Sequence, residues 1–462
     1  MYGVDYMDLV EVFKSKKIGD EVKLEGWIRN NRDQKEFGFI DFFDGTCFNS
    51  LQVVYDKDLK NFNDICHYHV GASIKVDGVL VESKGKQDME LKASHIDLVC
   101  DSTEDYPIQA KRHSMEFLRS VAYMRGRTRT FQAVFRVRSV LAFAIHDYFQ
   151  KNNYIYLNSP LITCTDCEGE NQMFKVSTFD FDNIPVDKDG KVDFSKDLFN
   201  KQAFITGSGQ LHGEAFAMSF KKIYTFGPTF RTENSNTKVH ANEFWMMEPE
   251  IAFCNIDDLM EIEEDMLKYV VKYVLDHCPD EIDFFNDFVE KGLKDKLNRL
   301  INSKFVKITH KEAIDLLKES GKDFEFKPDY NEDLAKEHEK YITEHFNNAV
   351  FITDWPKDIK AWYMKENPDG KTVAAVDLEV PGAGEIMGGS EREVDLDILN
   401  RRIKENNVDK ESIGWYLNLR RFGGCYHSGF GLGFERLIMY VTGIDNIRDV
   451  IAFPRTPGNC DY

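Results

Sequence analysis

The sequence predicts an α+β protein in which a small N-terminal β-barrel precedes a larger domain built on an antiparallel sheet flanked by helices. Two observations carry this expectation. Residues 21–99 are a succession of short alternating segments, rich in β-branched and aromatic residues and separated by Gly, Asp and Asn turns. After Tyr106-Pro107 the texture changes to a long amphipathic stretch, then to strands broken by a block of acidic helices, without the regular alternation that builds a parallel sheet.

Residues 21–30 (EVKLEGWIRN), 37–43, 50–55, 71–82 and 89–99 read as strands, and five of them in so short a span suit a closed barrel such as an OB-fold. From Arg127 to Lys151, Phe131, Val134, Phe135, Val137, Val140, Leu141 and Ala144 recur at helical spacing, leaving a basic outer face. The change in texture divides the chain into a barrel at 1–105, a connector at 106–122 and a second domain at 123–462. In that domain strands are expected at 154–163, 203–207, 222–226 and 243–253, and helices over 257–302 and around 309–345. The polar, turn-rich stretch 179–201 reads as an insertion or mobile loop.

A chain of 462 residues with 42% hydrophobic content can bury full cores, which excludes disordered and fibrous classes. No run approaches eighteen apolar residues, and the N-terminal MYGVDYMDLVEVFKSKK has neither an apolar core nor a small-residue cleavage site, so a soluble, unprocessed chain is expected. Nine scattered cysteines suit a reducing compartment, the cytoplasm by default, and the single Cys164-Thr-Asp-Cys167 pair lacks the further ligands that zinc needs. The net charge of -20 argues against a general nucleic-acid coat protein, because non-specific affinity comes from neutralising phosphates. RNA contact would have to use local basic patches, such as Arg29, Arg32 and Lys35, or the run from Lys111 to Arg138, although such a run equally describes a solvated helix face.

Three segments carry chemistry. The run Gly429-Phe-Gly-Leu-Gly-Phe-Glu-Arg436 lets a backbone approach a ligand closely and opens an apolar helix with Arg436 in its first turn. A cation is poorly placed at that end of the helix dipole, so an anionic ligand is expected to meet it. Arg231 and Glu233 begin, and Phe244 ends, a long polar loop between two strand-like segments; a guanidinium binds phosphate and an aromatic face stacks adenine. No GxxxxGK[ST] occurs, which excludes P-loop chemistry. Asn158-Ser-Pro160 follows the basic helix, and a proline within a strand would mark an edge or an interface.

In this order and spacing the three segments resemble motifs 1, 2 and 3 of the class II aminoacyl-tRNA synthetases, and the N-terminal region is similar to the anticodon-binding OB-fold of the aspartate–asparagine–lysine subgroup. Ser208-Gly-Gln-Leu-His-Gly-Glu214, Thr232-Glu-Asn-Ser-Asn236, Glu243-Phe-Trp-Met-Met-Glu-Pro-Glu250 and Phe453-Pro-Arg-Thr-Pro457 resemble the asparagine branch most closely. The resemblance implies an enzyme that activates L-asparagine with ATP and Mg²⁺ and transfers it to tRNA(Asn), working as a homodimer with no membrane partner.

By the same resemblance Arg231 holds the α-phosphate, Glu233 accepts from the adenine amino group and Phe244 stacks on the ring. Arg436 covers its other face and holds the γ-phosphate, and His240 meets phosphate unless it is a solvent-exposed bystander. Glu385 and Asp377 are implied metal ligands, since hard carboxylate oxygens suit Mg²⁺; Gly388 stands where related aspartate enzymes carry a serine hydroxyl. Glu168, Ser208, Gln210, Glu248 and Arg392 are implied asparagine contacts. Aspartate enzymes place a lysine where Gly213 stands and pair it with the acid at the position of Glu248; without that lysine Glu248 is expected to accept from the amide NH₂, while Arg392 donates to the carbonyl. Arg32, Phe39 and Gln52 align with anticodon contacts, with a place in the barrel core as the other reading of Phe39. An aspartate enzyme charging one or both tRNAs, a ligase without tRNA activity and a non-catalytic RNA-binding paralogue are the alternatives.

Overall fold

The computed structural model describes residues 6–85, 87–167 and 173–462. The chain divides into two units between Arg136 and Val137. In the first, alternation of burial along the strands closes a barrel. Strands β1 (Glu21–Asp33), β2 (Phe37–Phe43), β3 (Leu51–Asp56), β4 (Ser73–Glu82) and β5 (Met89–Cys100) pair in the order β1-β2-β3-β5-β4, with β3 and β5 parallel. Val22, Leu24 and Ile28 of β1 meet Ile40 and Phe42 of β2 in the interior, and the helix Leu9–Ser15 adds Leu9 and Val12 to the same core. Phe39 lies between buried Gly38 and buried Ile40 and is itself half-buried, so the pleat turns it to the outer face. That removes the barrel-core reading.

The second unit is organised by an eight-stranded sheet. After the helix Arg129–Lys151 come β6 (Ile155–Tyr156), β7 (Ile162–Thr163), β8 (Lys175–Val176), β9 (Ala203–Ile205), β10 (Lys222–Phe230), β11 (Glu243–Ala252), β12 (Val306–Thr309), β13 (Val350–Pro356), β14 (Thr372–Val380), β15 (Gly384–Glu391) and β16 (His427–Gly433). The sheet order is β12-β13-β14-β15-β16-β11-β10-β6, antiparallel in its middle and parallel at both edge pairs, β12 with β13 and β10 with β6. Strands β7, β9 and β8 form a small separate sheet.

The expected strand at 154–163 is two short strands in two different sheets. The ladder with β10 ends where the Leu157 N–H donates to Tyr224 O at 2.9 Å, and the chain then crosses to pair Ile162 and Thr163 with β9. The helical block contains Ile256–His277, Pro279–Phe288, Leu293–Asn302, His310–Glu319 and Lys336–Phe346, and β12 interrupts it where Val306-Lys-Ile-Thr309 offers β-branched alternation. The 179–201 stretch is held by turns: Val186 and Val192 form an isolated bridge, and Asp197 accepts from the N–H groups of Thr178 and Leu198 at 3.0 and 2.8 Å. Among the described residues no helix is long and apolar enough to cross a membrane.

Candidate active site

Strands β10 and β11 form an antiparallel hairpin whose pairing ends at Phe230 opposite Glu243. Asn242 closes the intervening loop, donating from Nδ2 to the carbonyls of Arg231 and Glu233, both at 2.9 Å. The C-terminal segment holds the loop from outside through Asn242 N–H to Arg455 O at 2.8 Å. Across the sheet β16 pairs with both β11 and β15, and the helix Phe434–Thr442 starts directly from its end, presenting Arg436.

These elements enclose a cavity of about 170 Å³ lined by Arg231, Glu233, His240, Phe244, Glu385 and Arg436. The two guanidinium groups, 205 positions apart in the sequence (436 − 231), thus face one space. Arg436 Nη1 donates to Glu385 O at 3.0 Å and stands 3.5 Å from Glu385 Oε2. Burial alone would raise the Glu385 carboxyl, yet Arg436, Lys360, Lys336 and Arg231 hold it below its ordinary value. The Arg231 guanidinium lies 5.5 Å from the centre of the Phe244 ring. His240 Nδ1 is 2.6 Å from the Thr237 hydroxyl, and Nε2 is 4.0 Å from Glu233. Burial, aided by Arg436, Lys336 and Arg231, lowers the His240 pKa against the pull of Glu233.

A second cavity, of about 230 Å³, adjoins the first and shares Arg231 and Glu385 with it. Ser208, Gln210, Glu248, Asp377 and Arg392 line it. Glu248 accepts from the Ser208 hydroxyl at 2.5 Å, the Gly209 N–H at 2.9 Å and the Thr225 hydroxyl at 3.2 Å. The arrangement offers cations for a polyphosphate on one side, a small polar pocket on the other, and a charged wall between them where a carboxylate can meet a phosphorus atom.

Residues 114–457 match the family described as tRNA synthetases class II (D, K and N), and residues 22–99 match the OB-fold nucleic acid binding domain. The chain is 56% identical over 444 residues to the asparagine–tRNA ligase of Acholeplasma laidlawii and 53% identical over 446 residues to that of Alkaliphilus metalliredigens, covering 96% of both chains in each case. The chain belongs to the class II asparagine–tRNA ligases. The asparaginyl-tRNA synthetase of Pyrococcus horikoshii, solved with asparaginyl-adenylate, superposes with a TM-score of 0.87 at 30% identity, over 99% of this chain and 100% of that one.

In this ligase several groups that hold the site lie outside the sequence motifs, and one expectation needs correction. Gly213 does not face Glu248: a Cβ there would meet Glu250 Cγ at 3.3 Å and Ile223 Cδ1 at 3.1 Å. Arg392 lines the second cavity with three of its donors engaged: Glu250 Oε1 and Oε2 accept from its Nη2 and Nε at 2.5 and 3.3 Å, and the Ser390 hydroxyl accepts from Nη1 at 2.7 Å. Glu214 anchors the far side, bonded to Gln210, Tyr416, Arg420 and His427. Glu435, next to Arg436, is structural; it accepts from Arg138 at 2.8 Å and from the Trp245 N–H at 2.9 Å, tying the basic helix to the hairpin. Lys360 and Lys336 enter from segments with no motif, and the only sequence signal available for any of these groups was charge in a strand or beside a glycine run. Glu168 lies outside the described residues.

The acidic floor suits a divalent cation. A Cβ on Gly388 would sit 3.2 Å from Glu385 Oε1 and 3.4 Å from Asp377 Oδ1, so both oxygens border the space that a serine hydroxyl would otherwise enter. Burial, reinforced by Glu385 and opposed by Lys360 at 2.7 Å, pushes Asp377 up to about 6. Neighbouring Glu379, buried with an unpartnered Oε2, is raised well above its ordinary value by burial, Glu339, Glu385 and Asp377. Such crowding of buried carboxylates is what a bound cation would relieve.

In the barrel, Arg32 and Phe39 are opposite residues of β1 and β2, with the guanidinium 5.6 Å from the ring centre. Arg32 Nη2 donates to Gln52 Oε1 at 3.3 Å, so the three expected anticodon residues share one outer patch.

Proposed function

We propose that the chain activates L-asparagine with ATP and transfers it to tRNA(Asn), and the observation that carries this reading is the pair of adjoining cavities with Arg231 and Glu385 in their common wall. ATP occupies the first cavity, with adenine between Phe244 and Arg436, its amino group toward Glu233 and its phosphates toward Arg231, His240 and Arg436. Asparagine occupies the second, its side-chain amide between Glu248 and Arg392, with Ser208 and Gln210 near its backbone groups; Glu168 stays in the proposed set on the family resemblance alone. A carboxylate oxygen attacks the α-phosphorus, the bond to the β-phosphate oxygen breaks, and pyrophosphate departs. Arg231 stabilises the charge that accumulates on the α-phosphate oxygens, more in the transition state than before it. A terminal ribose hydroxyl of the tRNA then attacks the carbonyl carbon of the mixed anhydride and AMP leaves. Mg²⁺ held by Glu385 and Asp377 would offset phosphate charge.

Residues 1–105 form the anticodon-binding domain in this reading, 106–122 the connector and 123–462 the catalytic domain. Arg32, Phe39 and Gln52 read the anticodon by stacking and hydrogen bonding, as unpaired bases are read on RNA-binding sheets. A homodimeric, cytoplasmic enzyme is part of the proposal; exposed Phe143, Ile155, Tyr156, Leu161 and Ile162, on the basic helix and the segments after it, supply an apolar face for the second copy.

The test is ATP–pyrophosphate exchange with each of the twenty amino acids, followed by acylation of tRNA(Asn). Exchange dependent on asparagine alone is expected. Exchange with aspartate in its place, or with no amino acid, would overturn the assignment.

A further inference from the structure

We infer that Glu339, on the helix Lys336–Phe346, is a positioning residue for the cation site, holding the backbone of Glu385 so that its carboxylate faces the ATP cavity; this rests on the reading that Glu385 and Asp377 hold Mg²⁺.

Glu385 stands where the ladder between β14 and β15 is disrupted. Leu378 pairs with Met387 but Glu379 pairs with Glu385, so the register shifts and Ile386 is the extra residue. A bulge of this kind re-aims a side chain, at the cost of leaving the local backbone outside the regular pattern of hydrogen bonds. Gly384, immediately before it, has φ of +75°, a conformation that favours glycine.

Two side chains from elsewhere in the fold hold this stretch. Glu339 Oε2 accepts from the Glu385 N–H at 3.2 Å, and Arg436 Nη1 donates to the Glu385 carbonyl at 3.0 Å. The main chain of Glu385 is thus gripped on both sides, by an acid of the helical block and by the cation that faces phosphate. Glu339 is itself fixed. It lies in the first turn of its helix, is 6% exposed, and accepts at both oxygens from Lys336, at 3.0 and 2.7 Å. A Cβ on Gly384 would overlap Glu339 Oε2, so the missing side chain is what lets the carboxylate reach the peptide.

With its backbone set in this way, Glu385 turns Oε1 toward the gap at Gly388, which Asp377 Oδ1 also borders, and Oε2 toward Arg436 at 3.5 Å. Glu339 is not among the residues lining either cavity, so its influence on a cation passes through Glu385. Removing a group that orients a metal ligand commonly weakens metal affinity by about tenfold or more.

The test compares Glu339→Ala, which removes the acceptor, with Glu339→Gln, which keeps an amide oxygen for the Glu385 N–H. Mn²⁺ is the probe, titrated in the presence of a non-hydrolysable ATP analogue and followed by electron paramagnetic resonance of the free ion. Its dissociation constant is expected to rise roughly tenfold in Glu339→Ala and to stay within about threefold of wild type in Glu339→Gln. Glu339→Asp, which keeps the charge beside Lys336 but withdraws the acceptor, should behave as the alanine variant, and it carries the test if Glu339→Ala does not fold. A wild-type Mn²⁺ constant in the alanine or aspartate variant would make Glu339 a packing residue and overturn the inference. An equal loss in Glu339→Gln would overturn it too, by making charge rather than the hydrogen bond decisive, and so would a wild-type protein that binds no Mn²⁺. Mn²⁺ binding without asparagine-dependent ATP–pyrophosphate exchange in the wild type would instead overturn the functional reading alone.

Discussion

Replacing Arg436 by alanine separates a chemical role from a structural one. In the structure its side chain is 27% exposed, with one hydrogen bond of 3.0 Å to a carbonyl and a loose 3.5 Å ion pair to Glu385. Partly solvated pairs of this kind contribute about 0–1 kcal/mol, so the melting temperature should fall by no more than about 2–4 °C. The same guanidinium, facing Arg231 across a cavity of about 170 Å³, supplies charge where phosphate charge builds up. Losing one preorganised donor of that kind costs about 10²–10³ in rate. Asparagine-dependent ATP–pyrophosphate exchange should therefore drop by at least about a hundredfold in a protein that melts almost normally. Exchange at the wild-type rate would refute the phosphate role, and a melting temperature that collapses with the rate would show that Arg436 holds the helix Phe434–Thr442 in place instead.

Phe39→Ala should lower tRNA(Asn) acylation by roughly tenfold, the loss of one stacked base, while leaving adenylate formation intact; a parallel fall in both rates would make Phe39 structural. Asp377→Asn should raise the Mg²⁺ concentration needed for half-maximal exchange several-fold, and an unchanged Mg²⁺ titration would remove it as a ligand. His310 is fully buried, and burial, with Lys360 nearby, lowers its pKa to about 4. A depressed histidine contributes stability that is complete above the unfolded value near 6.5 and is lost as pH falls toward 4, up to about 3 kcal/mol. Urea unfolding between pH 7 and 4.5 should show that loss in the wild type and a flatter profile in His310→Phe.

How much of this was legible in the sequence depended on whether the deciding interaction was local. The five barrel strands were legible because alternation and turn residues are local signals, and so were the hairpin carrying Arg231 and Phe244 and the glycine run leading to Arg436. The segment 154–163 misread because its two ends join different sheets, which only tertiary pairing decides, and β12 was hidden because an alternation four residues long is too short to stand out between helices. Charge partners were the least legible. Arg392 and Glu250 are 142 positions apart (392 − 250), and only the register that sets Glu250 against Gly429, and Gly429 against Ser390, brings them together. Local composition could equally have given Arg392 to Glu248. Lys360 sits in a segment where a lysine reads as ordinary surface charge, and its position against Asp377 is a product of tertiary packing; Lys336 pairs locally with Glu339 in its own helix, and what the sequence hides is that both face Glu385.

Strand β16 runs between β11, which carries Glu248 and Glu250, and β15, which carries Glu385, and it is glycine at positions 429, 431 and 433. Adjacent strands stand about 4.8 Å apart, so the two acid-bearing walls are gauged at about 10 Å by backbone hydrogen bonds alone. The width of the slot is then a lattice constant of the sheet, insensitive to side-chain exchange on either wall. Chemistry on this scaffold can be rewritten one residue at a time while the spacing between its two reactants stays put, and a methyl group added at Gly429, where it would overlap the Glu250 carboxylate, would do more damage than many changes of charge beside it.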